Sequence, residues 1–408
     1  MKINVLANAM RVDGCHVVYL TSHRYKPTLV ESRVVISGHD PLLQFSSDSQ
    51  KAGPAVQFTQ EDNMTLHSEI FEQPERLASL LEKQKQTVVE IAKTIRSRNV
   101  NFAFLAARGT SDNAGRYANY LWGARNQIPL ALATPSLFTY YQSPPRLQNA
   151  LVVGVSQSGQ SPDIVSVLEE GRKQNCLTLA ITNIPDSPLA KAADFVLDIQ
   201  AGPEKAVAAT KTYTTELMTV AMLSVALTGP DAQWSELASV PRWAELSLAL
   251  DETIQQMTQR YRYMNQCVVL GRGYNYATAF EWALKLKELT YVIAEPYSSA
   301  DFQHGPIAMV EGGFPVLSIA PKGKVHDSMK DMLTRLRNQK NAELVIISDD
   351  KDTLSLAQSP IKLPPHIPEW LTPLVSIIPA QLFACHLTQV KGYDTEAPRN
   401  ITKVTETH

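Results

Sequence analysis

Three charged residues raise the first chemical question. Glu281, Lys285 and Glu288 are spaced i, i+4 and i+7 in the run Glu281-Trp282-Ala283-Leu284-Lys285-Leu286-Lys287-Glu288, so on a helix they share one face. Ala283, Leu284, Leu286 and Leu289 show how much of that helix is buried. A carboxylate and an amine held there are candidates for acid–base chemistry. The plainer alternative is a solvated stripe of helix ion pairs, each worth a few tenths of a kcal/mol, roughly. His304 falls in the turn-rich loop Asp301-Phe302-Gln303-His304-Gly305-Pro306, free to reach a ligand or simply exposed. Lys403 lies in a polar C-terminal stretch, where composition alone gives it no role.

A second group of residues has the types that hold an anion. The stretch Leu151–Ser161, LVVGVSQSGQS, begins as a valine-rich run suited to a strand buried on both faces. It breaks into Ser156-Gln157-Ser158-Gly159-Gln160-Ser161, then Pro162-Asp163 and a helical pattern. A helix N-terminus offers unpaired N–H groups and a positive dipole end, and three serine hydroxyls add donors. Such a loop holds a phosphate without a lysine. The competing reading is an ordinary Ser/Gly-rich turn. Gly109-Thr110-Ser111 repeats the arrangement after the strand Asn101–Ala106. Two such loops on neighbouring strands converge at the carboxyl edge of an open α/β sheet, where ligands bind, which favours a phosphorylated ligand. Gly271-x-Gly273 lacks the third glycine of a dinucleotide fingerprint, so no nicotinamide cofactor is expected.

The elements that must position these residues alternate. A helix spans Met64–Thr94. Strands are expected at Asn101–Ala106, Leu151–Val155, Leu177–Thr182 and Phe195–Ile199, with helices between them and a long helix after the loop Ala201–Thr210. The pattern restarts with strands at Gln266–Gly271, Pro315–Ala320, Glu343–Ser348 and Ile361–Leu363, and Phe102–Arg108 aligns on Cys267–Gly273. The fold class is therefore α/β: two tandem doubly wound parallel sheets, flavodoxin-like α/β/α sandwiches. The first unit is expected at 64–240 and the second at 241–395, with a linker at Gly229–Glu245 around Pro230 and Pro241. The second copy of the phosphate loop, Ala320-Pro321-Lys322-Gly323-Lys324, has no hydroxyls, so only the first copy is expected to bind phosphate. Residues 1–63 show no sustained period and read as a disordered or adventitious extension, in which Val17–Leu20 and Val34–Ile36 could pair as a hairpin.

Composition excludes several classes. The 408 residues carry a net charge of −2 and are 44% hydrophobic and 19% charged, ordinary for a globular chain with no basic footprint for nucleic acid or an anionic membrane. The four cysteines, Cys15, Cys176, Cys267 and Cys385, have neither C-x-x-C nor zinc-type spacing. Buried free thiols, a cytoplasmic setting, no metal and no cofactor are expected. No apolar run nears the roughly 20 residues of a membrane span.

Several motifs together carry a family resemblance: Gly109-Thr110-Ser111, Ser156-Gln157-Ser158-Gly159, Val207-Ala208-Ala209-Thr210-Lys211, Glu281-x-x-Leu284-Lys285-Leu286-Lys287-Glu288, His304-Gly305-Pro306 and Pro398-Arg399-Asn400. In this order, from about Met64 onward, the chain resembles the sugar-isomerase (SIS) family. It is similar in particular to the isomerase half of glutamine–fructose-6-phosphate aminotransferases, and within the family it looks closest to the stand-alone glucosamine-6-phosphate deaminases. The resemblance implies that Gly109, Thr110, Ser111, Ser156, Gln157, Ser158 and Ser161 hold a sugar 6-phosphate and that Val207 and Ala209 contact the sugar. It also implies that Glu288 moves the proton between C1 and C2, that His304 assists ring opening across a homodimer interface, and that Lys403, in a catalytic tail at 396–408, meets the open-chain carbonyl; Glu281 and Lys285 accompany them. A partly desolvated carboxylate suits an aldose–ketose shift, and an amine can form a Schiff base. The implied reaction converts a phosphorylated amino sugar, glucosamine 6-phosphate, to fructose 6-phosphate and ammonia. Alternatives are a synthase-type isomerase or transaminase, a deglycase or isomerase for another phosphosugar, and a non-catalytic sugar-phosphate sensor. Lys2 follows Met1 where the aminotransferases carry their glutaminase cysteine, so glutamine hydrolysis is not expected of this chain. Gln160 stands where a glutamate is usual, and Ala209 where a serine is.

Overall fold

The structure, a computed structural model, describes residues 6–12, 15–21, 65–228 and 231–403. Chain contacts divide it into two units, Met1–Gln57 and Phe58–His408. In the first, β1 (Leu6–Val12) pairs antiparallel with β2 (Cys15–Thr21), Val12 facing Cys15. The strand containing Val17–Leu20 thus takes Leu6–Val12 as its partner. Its expected partner, Val34–Ile36, lies outside the described residues, as does most of the extension. The sequence signal for this hairpin is Asp13-Gly14 between the two strands, the pair that favours a two-residue connection.

The second unit holds two five-stranded parallel sheets. The first consists of β3 (Phe102–Ala106), β4 (Leu130–Leu132), β5 (Ala150–Val155), β6 (Leu177–Thr182) and β7 (Phe195–Asp198), in the order β4-β3-β5-β6-β7. The second consists of β8 (Gln266–Gly271), β9 (Ile293–Ser298), β10 (Pro315–Ile319), β11 (Glu343–Ser348) and β12 (Ser359–Lys362), in the order β12-β11-β10-β8-β9. Both are the flavodoxin-like order, in which the winding reverses beside the first strand, so the tandem repeat is real. Two strands escaped the periodicity, β4 and β9, and both are edges. β4 is only three residues long, and β9 carries Glu295 and Pro296, which read as loop; proline is tolerated on an edge strand.

Strand alternation explains how the two halves are joined. Leu105, Val153 and Ile181 of one sheet and Val269, Leu317 and Val345 of the other belong to one continuous buried cluster. Their sequence neighbours face away: Phe104 and Val152 pack under the helix Pro162–Lys173, and Val268, Val316 and Leu344 under the helix His326–Lys340. The shared cluster is filled by the helices Gln73–Ser97, Gly109–Asn126, Lys211–Thr228, Tyr276–Lys285 and Thr372–Val390.

Two expectations need correction. The stretch expected as a linker is mostly a helix, Asp231–Leu248, with Pro241 inside it and Leu237, Val240 and Ala244 in the shared core; Gly229 and Pro230 lie outside the described residues. One 22-residue segment, Glu369–Val390, is long and apolar enough to cross a membrane, with a mean hydropathy of 1.4 over its most apolar 18 residues, contrary to the sequence reading. Those 18 residues are 100% buried, so interior packing accounts for the composition. Ser376, Pro379, Gln381 and His386 interrupt its apolar run and hid it.

Candidate active site

β3 and β5 are neighbours, and the winding of the first sheet reverses between them. The loops leaving their carboxyl ends therefore flank the crevice where such sheets bind ligands. After β3 the chain turns at Gly109, whose φ of +53° suits glycine, and Gly109, Thr110 and Ser111 form the first turn of the helix Gly109–Asn126. After β5 the loop turns at Gly159 (φ +62°), where a Cβ would stand 2.2 Å from Ser187 Oγ, so only glycine fits. Ser156 Oγ accepts the Gly159 N–H at 3.1 Å and Ser158 Oγ accepts that of Gln160 at 3.3 Å. Both hydroxyls thus keep their hydrogens for a ligand. Arg108 closes one side, its guanidinium held by the buried Asp163 at 2.7–2.9 Å.

A cavity of about 310 Å³ opens there, lined by Gly109, Thr110, Ser111, Ser156, Gln157, Ser158, Ser161, Val207, Ala209, Lys285, Glu288 and Lys403, with Arg108, Val155, Ile164, Ile401 and Thr402. Every expected phosphate and sugar contact faces this one space. The second half supplies the ion pair Lys285–Glu288 to this lining. Lys285 Nζ lies 2.6 Å from Glu288 and 3.4 Å from Glu281, and donates to Thr110 Oγ1 at 3.2 Å. Burial opposes the charge of Lys285, yet Glu288 and Glu281 overcome it and hold the ammonium above the ordinary lysine range. Glu288 sits in a π-helical turn, Leu286–Thr290, that continues the helix Tyr276–Lys285, a geometry common at functional sites.

Two expected residues do not line the cavity. Glu281 is fully buried behind Lys285, where it accepts from Thr110 (3.1 Å) and Asn113 (2.8 Å) and ties the two halves together. Burial raises its pKa, against the pull of Lys285. His304 is exposed on the loop after the short helix Ser299–Phe302.

Sequence reasoning missed Arg108 and two buried acids. Glu204 is completely buried; it accepts from Lys403 Nζ at 2.6 Å and from the N–H groups of Thr210 (2.9 Å) and Thr212 (3.1 Å). Desolvation raises its pKa, but Lys403 and these bonds outweigh burial and hold it low. Glu216, also buried, has its Oε1 2.7 Å from Ser111 Oγ, a hydrogen-bond distance. At the matching edge of the second sheet two backbone donors are already taken. Lys322 N–H donates to Asp349 (2.7 Å) and Lys324 N–H to Glu369 (3.0 Å), so carboxylates of the protein occupy the seats of an anion.

Among the described residues one group could hold a metal ion, His67, Asp251 and His386, and it lies outside this cavity. Both imidazole Nε2 atoms are hydrogen-bonded to the Asp251 carboxylate, at 3.1 and 2.6 Å. Cys176, Cys267 and Cys385 are free and buried.

Fold and site define a class: doubled parallel α/β proteins with a hydroxyl-rich pocket between the halves. The SIS domain profile matches residues 98–226 and 261–391, and the chain belongs to the SIS domain family. It is 33% identical over 346 residues to the glutamine–fructose-6-phosphate aminotransferase (isomerizing) of Thermococcus kodakarensis, covering 82% of this chain and 56% of that protein. With the enzyme of the same name from Bartonella henselae it shares 35% over 358 residues, 83% of this chain and 58% of the other. The chain thus spans little more than half the length of these relatives. The C-terminal domain of the Francisella tularensis glucosamine–fructose-6-phosphate aminotransferase superposes with a TM-score of 0.73 at 27% identity, covering 83% of this chain and all of that one. The Thermotoga maritima glucosamine-6-phosphate deaminase, at 19% identity and a TM-score of 0.66 over 84% of this chain and 99% of that one, shares the fold.

Proposed function

We propose that this chain converts glucosamine 6-phosphate and water to fructose 6-phosphate and ammonia. The observation that carries the reading is the meeting, in one cavity, of an anion cradle from the first half with Glu288, Lys285 and Lys403. The 6-phosphate sits among Ser111, Ser156, Gln157, Ser158 and Ser161, with Arg108 at its edge, and anchors an open-chain sugar whose C1 and C2 reach Glu288. Glu288 takes the C2 proton and returns it to C1. The imine so formed at C2 is hydrolysed, water supplying the ketone oxygen and ammonia leaving. Lys285 holds the Glu288 carboxylate in place. Lys403, fixed by Glu204, sets its ammonium against the oxygen that gathers charge. His304 is assigned to ring opening in the site of a second copy, which makes the working unit a homodimer.

A second reading is the same exchange run toward the amino sugar, favoured by the aminotransferase names of the sequence relatives. The test is coupled detection of ammonia and fructose 6-phosphate from glucosamine 6-phosphate, then of the reverse reaction with ammonium or glutamine. Ammonia release that Glu288→Gln abolishes supports the deaminase. Glucosamine 6-phosphate synthesis from glutamine by the purified chain refutes it. Fructose 6-phosphate binding with no turnover in either direction makes the chain a sensor.

A further inference from the structure

Glu216 has no part in the chemistry above, yet it stands directly behind the cradle. It is fully buried on the helix Lys211–Thr228, and its Oε1 is 2.7 Å from Ser111 Oγ while its Oε2 has no partner. The described ion pairs give it no cation. Lys285 is committed to Glu281 and Glu288, Lys403 to Glu204, and Lys211 to Glu72. The groups that act on it are Glu281 across the domain junction, Glu204 in the preceding loop and Tyr213 one turn earlier, the last flanked by Tyr117 of the helix Gly109–Asn126. None is positive.

Proton counting makes this contact decisive. A serine hydroxyl has one hydrogen, and an ionised carboxylate only accepts. If Glu216 is ionised, Ser111 must spend its hydrogen on Glu216 and turns lone pairs toward the cradle, where a phosphate is also an acceptor. If Glu216 is protonated, its O–H donates to Ser111 Oγ and the serine hydrogen points at the ligand. We infer that Glu216 is a positioning residue of the phosphate cradle: held as the uncharged acid, it donates to the Ser111 oxygen and leaves the Ser111 hydrogen for the ligand. Burial, with the charges of Glu281 and Glu204 and against the Ser111 hydrogen bond, pushes its pKa up to about 8. Substrate affinity therefore falls in mildly alkaline solution, as the ionised form takes the Ser111 hydrogen back and adds a negative charge behind a dianion.

The inference rests on the phosphate reading above, and the experiment separates the two. Binding of fructose 6-phosphate to the full chain is measured by calorimetry from about pH 7 to 9.5, in pairs of buffers of different ionisation enthalpy. The dissociation constant of the unaltered chain is expected to rise above about pH 8, approaching tenfold per pH unit because the competent form is lost in that proportion. Near that pH, binding takes up protons. Glu216→Gln keeps an N–H donor toward Ser111 and cannot ionise, so the profile flattens and the proton uptake disappears. Ser111→Ala binds more weakly throughout and is also flat. A flat profile in the unaltered chain, or an unchanged slope in Glu216→Gln, overturns the inference and leaves the phosphate reading standing. Absence of binding at pH 7 overturns the phosphate reading, and this inference with it.

Discussion

Lys403 reaches Glu204 across 199 residues of sequence: its Nζ donates to the buried carboxylate at 2.6 Å and to the Ala206 carbonyl at 2.7 Å. The pair joins the end of the described chain to the loop before the helix Lys211–Thr228, and so sets a cation on the rim of the pocket.

Removing that cation leaves a completely buried carboxylate uncompensated. Breaking a buried pair costs about 3–5 kcal/mol where both partners are enclosed; Lys403 is 23% exposed, so the loss here is smaller. Lys403→Ala is expected to lower turnover severely and to make the segment around Ile401 cleavable by protease, whereas adding Glu204→Gln should recover the melting temperature lost to the uncompensated carboxylate but neither the protection nor the activity. An intact segment in the single variant would argue against the anchoring role.

The cradle serines should act on binding. Under the proposed function their hydroxyls lie remote from C1 and C2 and hold the phosphate alike in ground and transition states. Ser156→Ala with Ser158→Ala is therefore expected to raise KM by about tenfold or more, with turnover changed far less. A pure turnover defect places these serines at the chemistry instead.

Stability should carry the signature of Glu216. Its ordinary pKa of 4.5 rises to about 8 in the folded chain, so between these values the native state holds a proton that the unfolded state has lost. Its contribution is complete below pH 4.5, shrinks by up to about 1.4 kcal/mol per pH unit as pH rises, and is gone beyond pH 8. Melting temperature should therefore fall more steeply between pH 5 and 8 in the unaltered chain than in Glu216→Gln. Parallel curves would show that Glu216 is ionised throughout.

Much of this arrangement is legible in the residues, and the illegible part has a common cause. The serine loops, the Glu281–Lys285–Glu288 face and the doubled strand–helix order are local patterns, and the structure keeps them. Glu204 and Glu216 are isolated acids in otherwise unremarkable segments; their meaning lies in Lys403 and Ser111, which the chain brings to them from far away. Arg108 is one arginine after a strand until Asp163 fixes it. The edge strands β4 and β9 are short or proline-bearing, and the helix Asp231–Leu248 contains Pro241, which punctuates a sequence more strongly than it disrupts this helix.

The extension gives a simpler prediction. The Met1–Gln57 unit is separate from the one that carries the pocket. A chain beginning at Met64 is expected to fold and to retain fructose 6-phosphate binding and turnover; insolubility or loss of activity would show that the leading residues contribute to the second unit.

The common interior of the two sheets has a thermodynamic consequence. Leu105 and Val269 belong to different copies of the repeat but to the same buried cluster, and the segment between the copies is itself part of that filling. Neither half can open without exposing apolar surface of the other, so the duplication visible in the sequence should vanish in a calorimeter. Residues 65–403 are expected to melt in a single transition, with calorimetric and van't Hoff enthalpies in agreement. Two resolved peaks would mean that the halves keep private cores. With a single transition, a core mutation such as Leu317→Ala, made wholly in the second sheet, should lower the melting of the serine loops in the first by the same number of degrees as its own.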